Sequence, residues 1–166
     1  AVKILNDLGT PCLIHQPSYN LFNRWVEEDK LLNTLDNLGV GSIAFTPLAQ
    51  GMLTNKYLSK IPNESRATQG KSLDKNKITP HLIQALNELN TIAANREQSL
   101  AQMAIAWVLR EGKVTTALIG ASKPEQVKDC VGAINNLNFN SSELSSIDKI
   151  AKDQDINLWA QSSESI

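Results

Sequence analysis

The chain has 166 residues, of which 42% are hydrophobic, 20% charged and 5% aromatic, and this ordinary globular make-up excludes a disordered, collagenous or membrane-spanning polypeptide. Sixteen Lys and Arg against seventeen Asp and Glu leave a net charge of -1, so no global field draws the chain to nucleic acid or to anionic lipid. The two cysteines, Cys12 and Cys130, stand in unrelated contexts without C-x-x-C spacing, which argues against a disulfide framework or a zinc site and fits a reducing cytoplasm.

The first element is a helix. Val2, Ile4, Leu5 and Leu8 recur at helical spacing up to Gly9, and the chain opens on Ala1 without an initiator Met, so it reads as part of something longer. Cys12-Leu13-Ile14-His15, bounded by Pro11 and Pro17, is a short apolar run of the kind that forms a buried strand. Leu31, Leu32, Leu35 and Leu38 mark one face of a helix stopping at Gly39, and Ser42-Ile43-Ala44-Phe45 is the next strand. Strand, helix and strand at this spacing make a βαβ unit.

Periodicity then disappears from Thr46 to about Thr79, a stretch too long for an incidental loop. In it Lys56, Lys60, Arg66, Lys71, Lys75 and Lys77 face only Glu64 and Asp74, a local cationic excess suited to a polyanion such as a dinucleotide pyrophosphate. Pro80 opens a helix with Leu82, Leu86, Leu89 and Ala93 on one face. Ser99-x-x-Gln102 is a capping box for the following helix, whose stripe is Leu100, Met103, Ala104, Trp107 and Val108. A third strand runs from Thr115 to Ile119. Ser122-x-x-Glu125 with Pro124 predicts a capped helix carrying Val127, Val131 and Ile134, and a last helix with Leu144, Ile147 and Ile150 is expected behind a Ser141-Ser142 cap, before a polar tail around Trp159.

Successive βα units imply a parallel sheet, either doubly wound or part of a (β/α)8 barrel, and in both the ligand binds at the C-terminal strand ends. The first end offers Gln16 and Tyr19, an amide with donor and acceptor and a phenol that reads as a packed rim aromatic. At the second, Phe45 can stack on a flat heterocycle, while Pro47 and Gly51 shape a loop able to approach a phosphate. At the third, Gly120, Ser122 and Lys123 stand at a helix start, where free N–H groups and the helix dipole attract an anion. There is no G-x-G-x-x-G, P-loop or G-x-S-x-G, and His15 and His81 lack nearby carboxylates, so no self-contained acid, base or nucleophile set stands out.

The runs Gln16-Pro17-Ser18-Tyr19-Asn20, Phe45-Thr46-Pro47-Leu48-Ala49-Gln50-Gly51-Met52-Leu53-Thr54-Asn55-Lys56-Tyr57 and Gly120-Ala121-Ser122-Lys123-Pro124-Glu125-Gln126 resemble the last three strand ends of aldo-keto reductases. Ile61-Pro62-x-x-Ser65-Arg66-Ala67 and the segment from Leu100 to Arg110 are similar to the branch holding potassium-channel β-subunits and bacterial L-glyceraldehyde 3-phosphate reductases. The resemblance implies an α/β fold that is the C-terminal part of a (β/α)8 TIM barrel, about strands six to eight, with residues 1–166 as a partial domain whose N-terminal half is absent. It also implies NADP(H) as cofactor and a small carbonyl substrate.

By the same resemblance Gln16 would hold the nicotinamide carboxamide and Phe45 would stack on its ring. Thr46, Leu48, Gln50 and Gly51, with Pro47 and Ala49 in the same loop and Thr54, Lys56 and Arg66 beyond it, would enclose the pyrophosphate. Gly120, Ser122 and Gln126 would bind the adenosine end, with Lys123 a weaker candidate. Asp129 and Cys130 stand where the family usually has Glu and Asn at an adenine-contacting pair. The family's Asp, Tyr, Lys and His tetrad matches no position here, and Tyr19 and Tyr57 match other family positions, so the chain alone is expected to be inactive. Open strand edges lead to the expectation of pairing with the absent half or with another copy, and to no role with nucleic acid or membrane. A non-catalytic NADP(H)-binding or subunit-association module is the alternative.

Overall fold

The computed structural model of the chain describes residues 1–59 and 78–151. Lys60, Arg66 and the rest of the basic segment through Lys77, and the tail around Trp159, lie outside the described residues. In chain order the elements are α1 (Val2–Asp7), β1 (Ile14–His15), α2 (Trp25–Glu28), α3 (Leu31–Asn37), β2 (Gly41–Phe45), α4 (Pro80–Asn95), α5 (Leu100–Leu109), β3 (Thr116–Leu118), α6 (Pro124–Val131) and α7 (Ser141–Ile150). The strands are parallel and lie side by side in sequence order, with Ile14 opposite Gly41 and Phe45 opposite Leu118. Parallel neighbours require crossovers, and α2 with α3, then α4 with α5, supply them.

Local chemistry sets most helix ends. Gly39 takes the left-handed backbone, φ 64°, that closes α3. Pro80 occupies the first turn of α4, and Thr79 Oγ1 accepts the Leu82 N–H at 3.1 Å. The capping box of α5 forms as expected: the Gln102 N–H donates to Ser99 Oγ at 3.1 Å, and the Ser99 N–H donates to Gln102 Oε1 at 3.0 Å.

Two caps differ from expectation. The α7 cap is Asn140 rather than the Ser141-Ser142 pair, because its Oδ1 accepts the Glu143 N–H at 2.9 Å and Glu143 Oε2 accepts the Asn140 N–H at 2.8 Å. The predicted Ser122-x-x-Glu125 box does not form. Pro124 starts α6, so Lys123 falls at the cap position without a side-chain bond, while Ser122 turns its N–H to Gln126 Oε1 at 2.8 Å.

Burial corrects two further expectations. The strand expected to be buried around Ile14 is open, with Leu13 75% and Ile14 47% exposed, since no described element covers that edge. Along α6 and the 3-10 turn Gly132–Asn135 that follows it, Val127, Val131 and Ile134 face outward, whereas the small residues Cys130 and Ala133 pack against Ile105 and Ala106 of α5. Burial also pushes the Cys130 thiol pKa up, with Asp129 adding to the shift. Helix α5 is buried on nearly every side, wider than a one-faced stripe, as befits a helix apolar all round. Among the described residues no helix is long and apolar enough to cross a membrane.

Within the main core Trp107 is fully buried, with two guanidinium groups over its indole. Arg110 lies 3.7 Å and Arg24 4.5 Å from the ring centroid, and the Tyr19 ring stands 5.3 Å away, tilted by 43°. Arg110 donates to the Tyr19 hydroxyl at 2.9 Å and to Glu27 Oε1 at 2.6 Å, and the Tyr19 hydroxyl donates to the same carboxylate oxygen. Arg24 reaches Asp148 of α7 at 2.6 Å. Burial pushes the Tyr19 phenol well above its ordinary 10.0; Arg110 opposes the shift and Glu27 adds to it.

Because the unfolded phenol ionises near 10.0 and the folded one only at higher pH, the stabilising difference is whole below pH 10 and is lost as pH rises beyond it. Urea unfolding across alkaline pH should show this as a falling stability, with a slope approaching about 1.4 kcal/mol per pH unit for this one proton. Tyr19→Phe should remove that component and leave the neutral-pH slope unchanged. Arg110→Met, which leaves the Glu27 carboxylate without its cation, should lower the unfolding free energy by about 2 kcal/mol in the same assay.

Candidate functional site

Since the strands run parallel, their C-terminal ends share one edge, and the chain leaves it at Gln16, at Phe45 and at Gly120. The first segment continues beside the second past β1: the Phe45 N–H donates to the Pro17 carbonyl at 3.0 Å, the Tyr19 N–H donates to the Phe45 carbonyl at 3.2 Å, and Ser18 bridges to Phe45. Gln16 is exposed at this edge and Phe45 is half-buried. Leu48 packs against the same cluster as Ala117 and Ile119, so the loop after β2 and the end of β3 share one patch of core. Gln16, the Phe45 to Gly51 loop and Gly120 are therefore brought to one edge.

The loop after β2 is strained. Thr46, Ala49 and Gln50 have φ of 56°, 45° and 59°, and Gly51 has 94°, so three non-glycine residues occupy the left-handed region within five positions. Such conformations cost on the order of 1–3 kcal/mol each and persist only where surrounding contacts over-determine them. Here the Ala49 N–H donates to the Thr46 carbonyl at 2.9 Å and the Gly51 N–H to the Leu48 carbonyl at 2.8 Å, while Met52 and Leu53 are fully buried anchors. The Gln50 side-chain oxygen is buried with no hydrogen-bond partner among the described residues. A buried acceptor in that state is costly unless a further group satisfies it.

Several hydroxyls that the sequence offers to an anion are already committed. Thr46 Oγ1 donates to the Phe45 carbonyl at 2.7 Å, and Thr54 Oγ1 donates to the Gly51 carbonyl at 2.7 Å, where it caps the short turn Asn55–Tyr57. Ser122 Oγ is 3.3 Å from Gln126 Oε1, the same oxygen that takes the Ser122 N–H. One hydroxyl proton cannot serve two acceptors, so as arranged these side chains shape the edge rather than donate into it. Open groups remain: Lys56 and Lys123 are exposed with no ion pair among the described residues, and a Cβ on Gly51 or Gly120 would meet nothing within 4 Å. The backbone at both glycines is therefore approachable.

One sequence candidate lies apart from this edge. Asp129, on α6, accepts the Ser99 hydroxyl at 3.1 Å to either carboxylate oxygen, and its carbonyl accepts Gln102 Nε2 at 3.0 Å, which ties it to the start of α5. Arg66 lies outside the described residues. Conversely, sequence reading assigned no site role to Ser18, Asn20 and Asn23, all buried and polar beside the loop. Their one local signal is the turn in which Asn20 Oδ1 accepts the Phe22 N–H at 2.9 Å, a habit of Asn two residues upstream of its partner.

The Aldo/keto reductase family model matches residues 1–152. The chain is similar to the L-glyceraldehyde 3-phosphate reductase of Escherichia coli K12, 49% identical over 98% of this chain and 48% of that protein. It is also similar to a probable voltage-gated potassium channel β-subunit of Oryza sativa, 34% identical over 87% of this chain and 44% of the relative. The chain thus spans about half the length of the curated relatives it matches. Among solved structures, a thermostable aldo-keto reductase bound to the inhibitor epalrestat superposes with a TM-score of 0.61 at 21% identity, covering 89% of this chain and 43% of that one. The glycerol dehydrogenase of Gluconobacter oxydans gives 0.66 at 28% identity, over 82% and 41%.

The Asp129 contact yields a stability test. Ser99→Ala removes both the α5 cap and the hydroxyl bound by Asp129 and should cost about 1–2 kcal/mol in urea unfolding. Asp129→Ala should cost less than Ser99→Ala, because Ser99 Oγ still caps the helix.

Proposed function

The chain belongs to the aldo/keto reductase family, and from that premise we propose that it carries the cofactor side of an NADPH-dependent carbonyl reductase. The observation that bears most weight is the left-handed loop from Thr46 to Gly51, with its orphaned Gln50 amide and open glycine backbone, set beside Phe45 at the C-terminal strand edge. The approachable Gly51 and Gly120 backbone and the exposed Lys56 and Lys123 supply the donors and positive charge that a dinucleotide needs, and the unpartnered Gln50 Oε1 is an acceptor open to one of its hydroxyl or amino groups, so the residues present fit the group.

In this reading β1, β2 and β3 are the sixth, seventh and eighth strands of a TIM barrel. Gln16 would hold the nicotinamide carboxamide and Phe45 would stack on its ring, and together they would orient the cofactor for hydride transfer. Lys56 would neutralise charge on the pyrophosphate, which the open Gly51 backbone lets approach the loop at Gln50. Gly120, Lys123 and Gln126 would take the adenosine end, with Ser122 shaping it through the backbone N–H that Gln126 Oε1 holds in place. When bound, NADPH supplies a hydride to a carbonyl carbon.

Proton delivery to the carbonyl oxygen is assigned to residues outside this chain. Tyr19 is unsuited to it: its hydroxyl is buried, clamped by Glu27 and Arg110, and raised far above neutral pH. Identity of 49% with the E. coli reductase supports a small phosphorylated aldehyde as substrate of the whole enzyme. A second reading, a non-catalytic NADP(H)-binding or association module, is favoured by the exposed apolar residues Leu13, Ile14, Val127 and Val131, which suit pairing with another chain.

Fluorescence titration of the 166-residue chain with NADPH should show binding, and Phe45→Ala should weaken it by about tenfold. The same chain mixed with NADPH and a small aldehyde should show no cofactor oxidation above buffer. Turnover by this chain would overturn the placement of the proton donor, and absence of any binding would overturn the cofactor reading.

A further inference from the structure

The loop proposed to meet the cofactor is held in its strained conformation by a hydrogen-bond chain whose direction can be worked out. Thr46 Oγ1 donates to the Phe45 carbonyl at 2.7 Å, and a carbonyl can only accept, so the single Thr46 hydroxyl proton is committed there. The 3.0 Å contact between Ser18 Oγ and Thr46 Oγ1 must then be a donation from Ser18. Ser18 in turn accepts Asn23 Nδ2 at 3.0 Å. The protons therefore point one way, from Asn23 through Ser18 and Thr46 to the carbonyl of Phe45, an arrangement in which each bond strengthens the next.

A second grip acts on the same residue. Asn20 Nδ2 donates to the Thr46 carbonyl at 3.0 Å, and that carbonyl also accepts the Ala49 N–H at 2.9 Å. Asn20 is itself locked, because its Oδ1 takes the Phe22 N–H at 2.9 Å and its backbone exchanges hydrogen bonds with Asn23 at 3.1 Å in both directions. Trp25 Nε1 donates to the Ser18 carbonyl at 3.0 Å, which fixes the backbone of the middle member of the relay. Ser18, Asn20 and Asn23 are all buried, and the bonds they make to Thr46 are part-buried, so water competes for them only weakly.

Thr46 is the residue that needs such holding. A β-branched residue at φ 56° is an outlier by its own sterics, and nothing local to Thr46-Pro47 favours it. We propose that Asn20 and the relay Asn23, Ser18, Thr46 are a positioning device that holds Thr46 left-handed and so presents the Phe45 ring and the Leu48 to Gly51 backbone to the cofactor. This rests on the cofactor reading above, but the conformational part has its own readout.

The test is amide hydrogen exchange on the 166-residue chain, with NADPH titration alongside. Thr46→Val keeps the branched shape and deletes the hydroxyl; Thr46→Ser keeps the hydroxyl. Asn20→Ala removes the grip on the carbonyl, and Thr79→Ala, which uncaps α4 far along the chain, controls for a general loss of stability. Asn20→Ala and Thr46→Val should speed exchange of the Ala49 and Gly51 amides about fivefold to tenfold relative to α5 amides. They should weaken NADPH by a similar factor, while Thr46→Ser matches the parent and Thr79→Ala shows no loop-selective change. The device is overturned if Thr46→Val and Thr46→Ser exchange alike, if α5 amides quicken as much as the loop, or if the loop loosens while NADPH affinity holds. A parent chain that binds no NADPH would instead overturn the cofactor reading, with loop exchange still deciding whether the relay holds Thr46.

Discussion

The clasp around Trp107 is the interaction on which the other parts depend. Two guanidinium groups cover an indole, and the charges are balanced by Glu27 from α2 and Asp148 from α7. Arg110 at the end of α5, Glu27 and Tyr19 each come from a different part of the chain, so a single cluster joins the first crossover, the second crossover and the last helix. Buried charge is normally a liability, yet here each cation has both a carboxylate and an aromatic face, which offsets much of the desolvation cost. The clasp is not complete: Trp107 Nε1 and Arg24 Nη2 are buried without partners among the described residues.

From this clasp the order passes to the strand edge. Tyr19 is held by its hydroxyl in the clasp, and its backbone N–H donates to the Phe45 carbonyl. Ser18 and Asn20, on either side of Tyr19, grip Thr46. The segment after β1 thus works as a brace, anchored by an aromatic ring in the core and presenting polar side chains to the loop after β2. A conformation that Thr46 would not adopt alone becomes the stable one because hydrogen bonds from buried side chains hold it from two directions. Flexibility at this edge would cost any dinucleotide the entropy of ordering the loop, and the brace removes that cost beforehand.

Features governed by neighbouring residues were legible before the fold was known. The Ser99-x-x-Gln102 box, the Pro80 start and the Gly39 stop each involve partners within four residues, and each appears where periodicity and capping rules put it. The parallel order of the strands also followed from alternation of element types. Where local signals competed, the reading failed: Ser122 looked like a cap, but Pro124 shifted the start and Gln126 took its N–H. Apolar periodicity marked Val127 and Val131 as a face without saying which side is covered, and the side that packs on α5 is the one with Cys130 and Ala133.

Taken alone, the sequence determined the class of the fold, the three strands and all the longer helices in order but not the single-turn α2, and Gln16, Phe45 and the segment from Thr46 to Gly51 as the residues of interest, because these rest on periodicity, short motifs and resemblance. Only the tertiary structure decided which hydroxyls are already spent, that Asp129 serves the start of α5, and that Arg110 meets Tyr19 across 91 positions. It also decided that Asn20 and Ser18 restrain a strained Thr46. These are through-space hydrogen bonds and cation–ring contacts between residues far apart in the chain, and no spacing rule along a sequence encodes them.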